Sequence, residues 1–471
     1  MGLTYTTAAQ RDVQRTQRRT QHRVERFQPA RLSLAVTSVV ALLAITLAYL
    51  GRVSLLEQGE SARAGVPPVN LNVVVDSGRL EPALGTVFAN ANDRRLAAKE
   101  LSRFLVGERN QGRALTHVGA IARANIAAAT IDGSKKLDAF SERLQRSRES
   151  AAASGRAAPG AIPLLTAADL ATLKPFLSVR TRQEFRREVL LYACLYMAAF
   201  HLVPLVWWRR GVRGDRLVLA VAHLLTAIGF AALLSRPDPL RDSMLFVRFT
   251  EGTLAGLLVM TAVSLVDFGR IGFAELSYLP LAGALSLSVL LIAFGSGPGN
   301  SAAKVNLGPL QPIEAIRLLL ALFLAGYFAR RWELLRSLRS TVIRDIRLPE
   351  WVNLPRAEYA LPVLAGVGLS LLFFFLQKDL GPALFLCCVF LAVYAVARGR
   401  VEMAVVGFLL LVLGFYIGNR LQISATLAER VRMWQSPWDN AVPGGDQLTR
   451  AIWGMATGGW FGTGLGLGDS R

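Results

Sequence analysis

Apolar residues recur in nine long stretches along this chain, at residues 32–50, 189–208, 217–235, 245–266, 276–294, 313–329, 359–376, 383–397 and 401–417. Each approaches the ~20 residues a helix needs to cross about 30 Å of hydrocarbon, although the eighth is short and the fourth is poorly bounded. None shows the alternation of a barrel strand, so helices are the expected spanning element. The pattern predicts an all-α polytopic membrane protein of about nine transmembrane helices. Residues 1–31 form a basic tail before the first span, and residues 51–188 are inserted between the first span and the second, 189–208. Within this insert, apolar residues spaced three to four apart from Asp93 to Leu105 predict a helix, and residues 115–129 predict another. Residues 151–161, rich in Ala and Gly, read as a linker. The insert is therefore expected to be a small helical domain for partner contact. Residues 209–471 form a membrane domain with short loops, apart from 330–358 and the tail from 418. No internal repeat is evident, which argues against an inverted-repeat transporter.

Composition agrees with this picture: 52% of the residues are hydrophobic and mean hydropathy is +0.38. The formal charge of +20 would suit a nucleic-acid binder, but its placement argues for a topogenic role, with specific lipid or nucleic-acid binding the lesser alternative. Arg11, Arg15, Arg18, Arg19, Arg23, Arg26 and Arg31 precede the first span; Arg209, Arg210, Arg213 and Arg216 follow the second; Arg330, Arg331, Arg336, Arg339, Arg344 and Arg347 follow the sixth. Basic residues beside spans stay cytoplasmic. Counting nine spans from a cytoplasmic amino terminus puts all three clusters inside and the insert outside. Cys194, Cys387 and Cys388 lie within spans, where they read as apolar filler. His22, His117, His201 and His223 have no ligand spacing, so a histidine metal site is not expected. The first span is too long for a signal peptide and lacks a cleavage site before Arg52.

Candidate chemistry collects at the mouths of the spans. Asp379 lies in Gln377-Lys378-Asp379-Leu380-Gly381-Pro382-Ala383, between two apolar runs, and an acid there reads as functional by default. It also suits the start of the following helix, so a cation- or sugar-orienting role and a capping role both stand. Gln311-Pro312-Ile313-Glu314 opens the sixth span, with Arg317 one turn on. Glu314 and Arg317 share a helix face and can pair, either as part of a site or to fix helix packing. Trp434, Trp438 and Trp460 read as interface anchors ahead of sugar platforms. The glycine run Gly458-Gly459-Trp460-Phe461-Gly462-Thr463-Gly464-Leu465-Gly466 permits a tight turn or close backbone approach.

The carboxy-terminal 255 residues or so resemble the SEDS family, the FtsW, RodA and SpoVE proteins of shape, elongation, division and sporulation. Three pieces in the family's order carry the resemblance. The family's Asn-Leu-Gly followed by Gln-Pro-Ser-Glu is echoed by Asn306-Leu307-Gly308 and Gln311-Pro312-Ile313-Glu314. Its Gln-Pro-Asp-Leu-Gly-Thr-Ala is echoed by Gln377 to Ala383. Its fourth large extracytoplasmic loop is echoed by Arg432-Met433-Trp434-Gln435-Ser436-Pro437-Trp438, then Asp446-Gln447, then the glycine run. The first two spans and the insert would be an amino-terminal addition.

The resemblance implies a peptidoglycan glycosyltransferase of the bacterial cytoplasmic membrane. Such an enzyme polymerises lipid II, an undecaprenyl-pyrophosphate disaccharide-peptide, during elongation or division. It works with a class B penicillin-binding transpeptidase, and a divalent cation, Mg or Mn, is plausible. A basic residue where Arg248 stands is characteristic of the family, and this residue would contact pyrophosphate; the alternative is an arginine snorkelling to headgroups. Gln447 matches a family glutamine and would hydrogen-bond substrate; the family has Lys in place of Arg317. Lys304 stands alone where the family shows an Arg-Trp pair, which weakens a sugar-stacking role there. The family continues into a Leu-Pro-Glu-x-His-Thr-Asp-Phe type motif and three more spans. No residue here matches its Asp, and Asp469 precedes that point, so the chain is expected to be truncated and inactive by itself. A lipid II flippase and a non-catalytic scaffold for a transpeptidase are the rival readings.

Overall fold

The computed structural model of the protein describes residues 29–467 except 62–67, 75, 134–135, 213–216, 237, 267–277, 298–302, 309, 338, 341, 344–345, 348–353, 356, 399–400, 423–424, 440–444 and 461. Arg11, Arg15, Arg18, Arg19, Arg23, Arg26, His22, Arg213, Arg216, Arg344 and Asp469 therefore lie outside the described residues. The chain divides into two compact units: residues up to Val266 together with those from Thr457, and Asp267–Ala456.

In the first unit α1 (Pro29–Ser61) leads into the insert, which comprises β1 (Val69–Asn70), α2 (Glu81–Leu84), α3 (Ala91–Asn110), β2 (Asn125–Ala127), α4 (Ala128–Asp132), α5 (Ala139–Ala153), β3 (Ala161–Pro163), α6 (Ala167–Leu173) and β4 (Leu177–Ser178). The membrane helices α7 (Arg182–Arg210), α8 (Leu217–Ser235) and α9 (Leu245–Ser264) follow. α7 begins at a reciprocal capping box between Thr181 and Glu184 and ends on Gly211 in the left-handed region, at φ 66°. Small residues decide how α1 meets α8. Ala41 and Ala48 on one helix, and Ala220, Ala227 and Ala231 on the other, are all buried, and such residues let helix backbones approach closely in lipid. Phe185, Tyr196 and Phe200 of α7 and Phe246 of α9 complete this core.

The insert has a separate core, to which α3 contributes Ala97, Ala98, Leu101 and Leu105 at helical spacing. The buried Asp93 carboxylate in the first turn of α3 accepts from the backbone N–H groups of Asp138 and Ala139, both at 3.1 Å, and so ties α3 to the start of α5. The expected helix over 115–129 does not form. Residues Val118–Arg123 make a 3-10 turn, and β2 pairs antiparallel with β3. Distant partners take the backbone groups a helix would use: Val118 N–H donates to Arg241 O, and Ala124 O accepts from Leu164 N–H. The expected linker over 151–161 is likewise absorbed at both ends, by α5 up to Ala153 and by β3 from Ala161. The insert is thus mainly helical but carries the β2–β3 ribbon and a parallel pairing of β1 with β4.

The second unit holds α10 (Leu279–Phe294), α11 (Ile313–Ser337), α12 (Ala357–Leu376), α13 (Leu380–Arg398), α14 (Glu402–Arg420), α15 (Ala425–Gln435) and most of α16 (Gly445–Gly458). Its core is built on one stripe of α11, Ile313, Ile316, Leu320, Phe323, Leu324 and Tyr327, against Leu291 of α10, Val363, Val367 and Phe374 of α12, and Leu386 of α13. Each of the nine apolar stretches thus falls on a helix, and the protein is an all-α polytopic membrane protein. Among the described residues four helices, α1 and α7 to α9, are long and apolar enough by themselves to cross a bilayer, and four shorter apolar helices accompany them.

Candidate functional site

The first unit presents Arg248 one turn into α9, exposed and without a hydrogen bond or ion pair among the described residues. One turn further along, Glu251 accepts from the Tyr192 hydroxyl at 3.2 Å. The loop that launches α9 is held by the insert through two buried arginines. Arg180, between β4 and the cap of α7, donates to the carbonyls of Pro239 at 2.8 Å, Asp242 at 2.5 Å and Thr116 at 2.5 Å. Arg241 donates in the opposite direction, to the carbonyls of Lys174 and Pro175 and to the Asp238 carboxylate, each at 2.8 Å. Lys174 pairs with Asp242 at 2.7 Å, and Val179 N–H donates to Leu240 O at 2.9 Å. Burial pushes the Arg180 pKa down, an effect opposed by the nearby carboxylates of Glu184, Asp242, Asp238 and Glu188.

In the second unit the two polar motifs meet at one end of the helices. Asn306 pairs with Ser296 across the loop after α10, which turns at Gly308 with φ 58°. From this loop Lys304 N–H donates to Gln377 O at 2.9 Å. The Lys304 ammonium itself donates to Ile292 O at the carboxyl end of α10, the favourable place for a cation on a helix. Lys304 therefore acts here as a helix cap. Gln311 and Glu314 are exposed, and Glu314 receives Arg317 Nη1 at 2.7 Å. Arg317 Nε is buried without a partner among the described residues. Its side chain borders a crevice of only about 10 Å³ together with Leu320, Phe374, Pro382, Phe385 and Leu386.

α12 ends in a doubly bonded turn: Lys378 N–H reaches Phe375 O and Asp379 N–H reaches Phe374 O, both at 3.0 Å. Lys378 sits in the left-handed region, φ 58°, where glycine is the usual residue. Lys378→Gly is therefore expected to match or exceed the parent stability by up to about 1 kcal/mol, whereas β-branched Lys378→Val should cost about 1–2 kcal/mol. Thermal unfolding midpoints of the two variants check this. Asp379 stands half-buried immediately before α13, with no side-chain hydrogen bond among the described residues, so it is placed as a cap without acting as one.

Gln447 is exposed on α16, and none of the described contacts joins it to the other candidates. Near it, Thr449 donates to Pro437 O at 2.7 Å, and the Trp438 and Trp453 rings lie 6.1 Å apart. Trp434, Trp438 and Trp460 are all exposed, as interface anchors are. In the first unit the glycine run crosses α1: a Cβ on Gly466, which has φ 83°, would run into the Ala48 carbonyl, and one on Gly51 into the Leu465 carbonyl. Close backbone approach is what Gly466 provides, while Gly459, Gly462 and Gly464, at φ 58°, 73° and 111°, supply the tight turns.

Two polar groups escaped the sequence reading. The Gln377 side chain is fully buried, with Nε2 3.4 Å from Ser288 O and Oε1 without a protein partner among the described residues; its signal was its place at the head of the Asp379 string. His201 and His223, which look unrelated along the chain, both lie 3.2 Å from the Ser38 hydroxyl, and His223 Nδ1 is 3.0 Å from the Tyr196 hydroxyl. Nothing local in the sequence announces this cluster. A divalent cation finds no fitting site among the described residues. Glu314 is occupied by Arg317, Asp379 is isolated, and no group of three or more His, Cys, Asp or Glu side chains converges. No chemical step is therefore assigned to a cation.

The profile of the FtsW/RodA/SpoVE cell cycle proteins matches residues 215–471. The chain is 28% identical over 320 residues to the peptidoglycan glycosyltransferase RodA of Mycobacterium leprae, covering 65% of this chain and 66% of that protein. It is 26% identical over 319 residues to RodA of Mycobacterium tuberculosis, with the same coverage. It is 32% identical over 197 residues to the probable peptidoglycan glycosyltransferase FtsW of Halorhodospira halophila, covering 40% of this chain and 43% of that protein. The chain thus spans just under two thirds of the length of the mycobacterial relatives, and no solved structure matches it. The setting these relatives share with the apolar helices is the bacterial inner membrane, crossed more than once. With the profile covering over half of its length and the two polar motifs meeting at one end of the helices, the chain belongs to the FtsW/RodA/SpoVE family.

Proposed function

We propose that this protein serves peptidoglycan synthesis as a glycosyltransferase that polymerises lipid II at the outer face of the inner membrane. The observation that carries the proposal is the Lys304 N–H to Gln377 O link, which brings the loop before the Gln311–Glu314 motif against the head of the Asp379 motif, at the end of the bundle that carries Arg317. A cation at headgroup depth beside an apolar wall suits a lipid-linked pyrophosphate. The amino terminus would be cytoplasmic, which places the insert, the α8–α9 loop and both motif segments outside. In the reaction an acceptor sugar hydroxyl attacks the donor's anomeric carbon with inversion. The bond from that carbon to the pyrophosphate oxygen breaks, and the acceptor proton leaves. A basic side chain at the outer face, Arg248 of the first unit or Arg317 of the second, would stabilise the charge on the departing undecaprenyl pyrophosphate. The insert is where a transpeptidase partner would bind.

The test is reconstitution of the complete gene product with labelled lipid II. Glycan strands are expected, and Arg248→Ala should slow their formation about 10- to 100-fold, discounted from a fully buried donor because Arg248 is exposed. Transfer of lipid II across the bilayer without strand formation would replace the proposal with a flippase. Neither activity, with a transpeptidase retained on purification, would leave a scaffold.

A further inference from the structure

The contacts that hold α16 leave one of its faces open. Its side chains fall into three sectors about the helix axis. Thr449 and Trp453, one turn apart, make the attached sector: the buried Thr449 donates to Pro437 O at 2.7 Å, and the Trp453 ring lies 6.1 Å from that of Trp438. Gln447, Arg450 and Gly454, all exposed, make a polar sector. Leu448, Ala451, Ile452 and Met455, at i, i+3, i+4 and i+7, make an apolar one. At ~100° per residue the three lie about 120° apart, so the anchoring at Pro437 and Trp438 that fixes the rotation of α16 turns the apolar stripe away. Met455 is 76% exposed, and Leu448 and Ile452 keep 37% and 38%, so the stripe stays open among the described residues. Position along the chain sets its depth. α14 brings the chain out of the bilayer where the ninth apolar run ends at Ile417, and after α16 the glycine run lies across α1 at Ala48 and Gly51, where the first run ends at Leu50. The first and ninth runs leave the membrane on the same side, so the segment that carries α16 is tied to one boundary before and after it.

We propose that α16 lies in the plane of the membrane surface, with Leu448, Ala451, Ile452 and Met455 sunk among the acyl chains of that leaflet, so that the occupant of its open face is lipid. The three sectors then meet three surroundings: hydrocarbon below, water and headgroups above, and the Pro437–Trp438 turn at the side. An amphipathic helix with a charged polar face and a tryptophan at its border is suited to this boundary. A protein occupant fits less well, because four side chains over two turns fall far short of the ~800 Å² per partner that a stable interface buries. Such a placement holds Gln447 and Arg450 at headgroup level whether or not the protein polymerises lipid II.

Nitroxide accessibility tests this in the full chain, reconstituted in nanodiscs of phosphatidylethanolamine and phosphatidylglycerol. Cys194→Ala, Cys387→Ala and Cys388→Ala remove the native thiols, and labels are placed singly through Ile452→Cys, Met455→Cys, Gln447→Cys and Arg450→Cys. Labels at Ile452 and Met455 are expected about 5–10 Å below the headgroup boundary, more accessible to oxygen than to a water-soluble nickel chelate. Those at Gln447 and Arg450 should show the reverse. If the chain without native thiols does not fold, benzoylphenylalanine in place of Ile452 or Met455 in the otherwise unaltered chain decides the matter, and its photoproduct should be with lipid. Equal nickel access at all four sites, shielding of Ile452 and Met455 from both reagents, or a photoproduct with protein in place of lipid would each overturn the proposal.

Discussion

Arg180→Met is expected to lower the stability of the first unit by about 3 kcal/mol. The guanidinium is buried and donates to three carbonyls that belong to two separate stretches of chain, Thr116 in the insert and Pro239 and Asp242 in the α8–α9 loop. Removing it leaves those acceptors without their charged donor in a poorly solvated place, and each such loss costs on the order of 1–3 kcal/mol. Water entering the gap recovers part of that cost, which is why the total is set near the lower end of the sum. Arg180→Lys should recover less than half, because one ammonium cannot reproduce a planar fork aimed at three oxygens. The observable is specific: limited proteolysis should cut the α8–α9 loop in the variant faster than in the parent, before the midpoint of thermal unfolding is reached. Equal cleavage rates together with an unchanged midpoint would mean that the latch does not form.

The second large effect concerns Arg317. If its charge stabilises the departing pyrophosphate, Arg317→Met should reduce lipid II polymerisation by about 100-fold, equivalent to roughly 2.7 kcal/mol of transition-state stabilisation. Arg317→Lys should keep most of the rate, since it retains the cation and restores the residue that the family resemblance places there. The pair with Glu314 offers a built-in control. Glu314 is more exposed than Arg317, at 61% against 32% for the side chains, so the ion pair itself is worth well under 1 kcal/mol. Glu314→Gln should therefore barely alter the melting temperature. A packing role would make the Glu314 and Arg317 variants alike in both stability and rate; a site role makes Arg317→Met the worse by far in rate alone. Measuring both variants for melting and for polymerisation separates the two.

Legibility followed the range of the interactions involved. All nine apolar stretches lie on helices, because hydropathy and length are local properties and lipid leaves a backbone few alternatives. The helix of α3 was visible in the spacing of Leu101 and Leu105, which face one core. Residues 115–129 misled because their helical spacing is real but weaker than the partners found elsewhere, Arg241 O for Val118 and Leu164 N–H for Ala124. The candidate site divided in the same way. The Glu314–Arg317 pair is three residues apart and could be read directly. Lys304 could not: its ammonium settles on Ile292 O, twelve residues back, and nothing in the loop's composition distinguishes a substrate contact from a helix cap.

What the sequence determined by itself is the class of protein, the number and order of its apolar helices, and the family motifs at their mouths. Each rests on residues within a turn or two of one another. What only the tertiary structure decided is which distant polar groups meet: Arg180 with carbonyls 59 and 64 residues away, Ser38 with two histidines more than 160 residues on, and Lys304 with Gln377. Such pairings depend on how whole helices and the insert pack. Packing is set by small and large side chains summed over an interface, so no short window of sequence contains it.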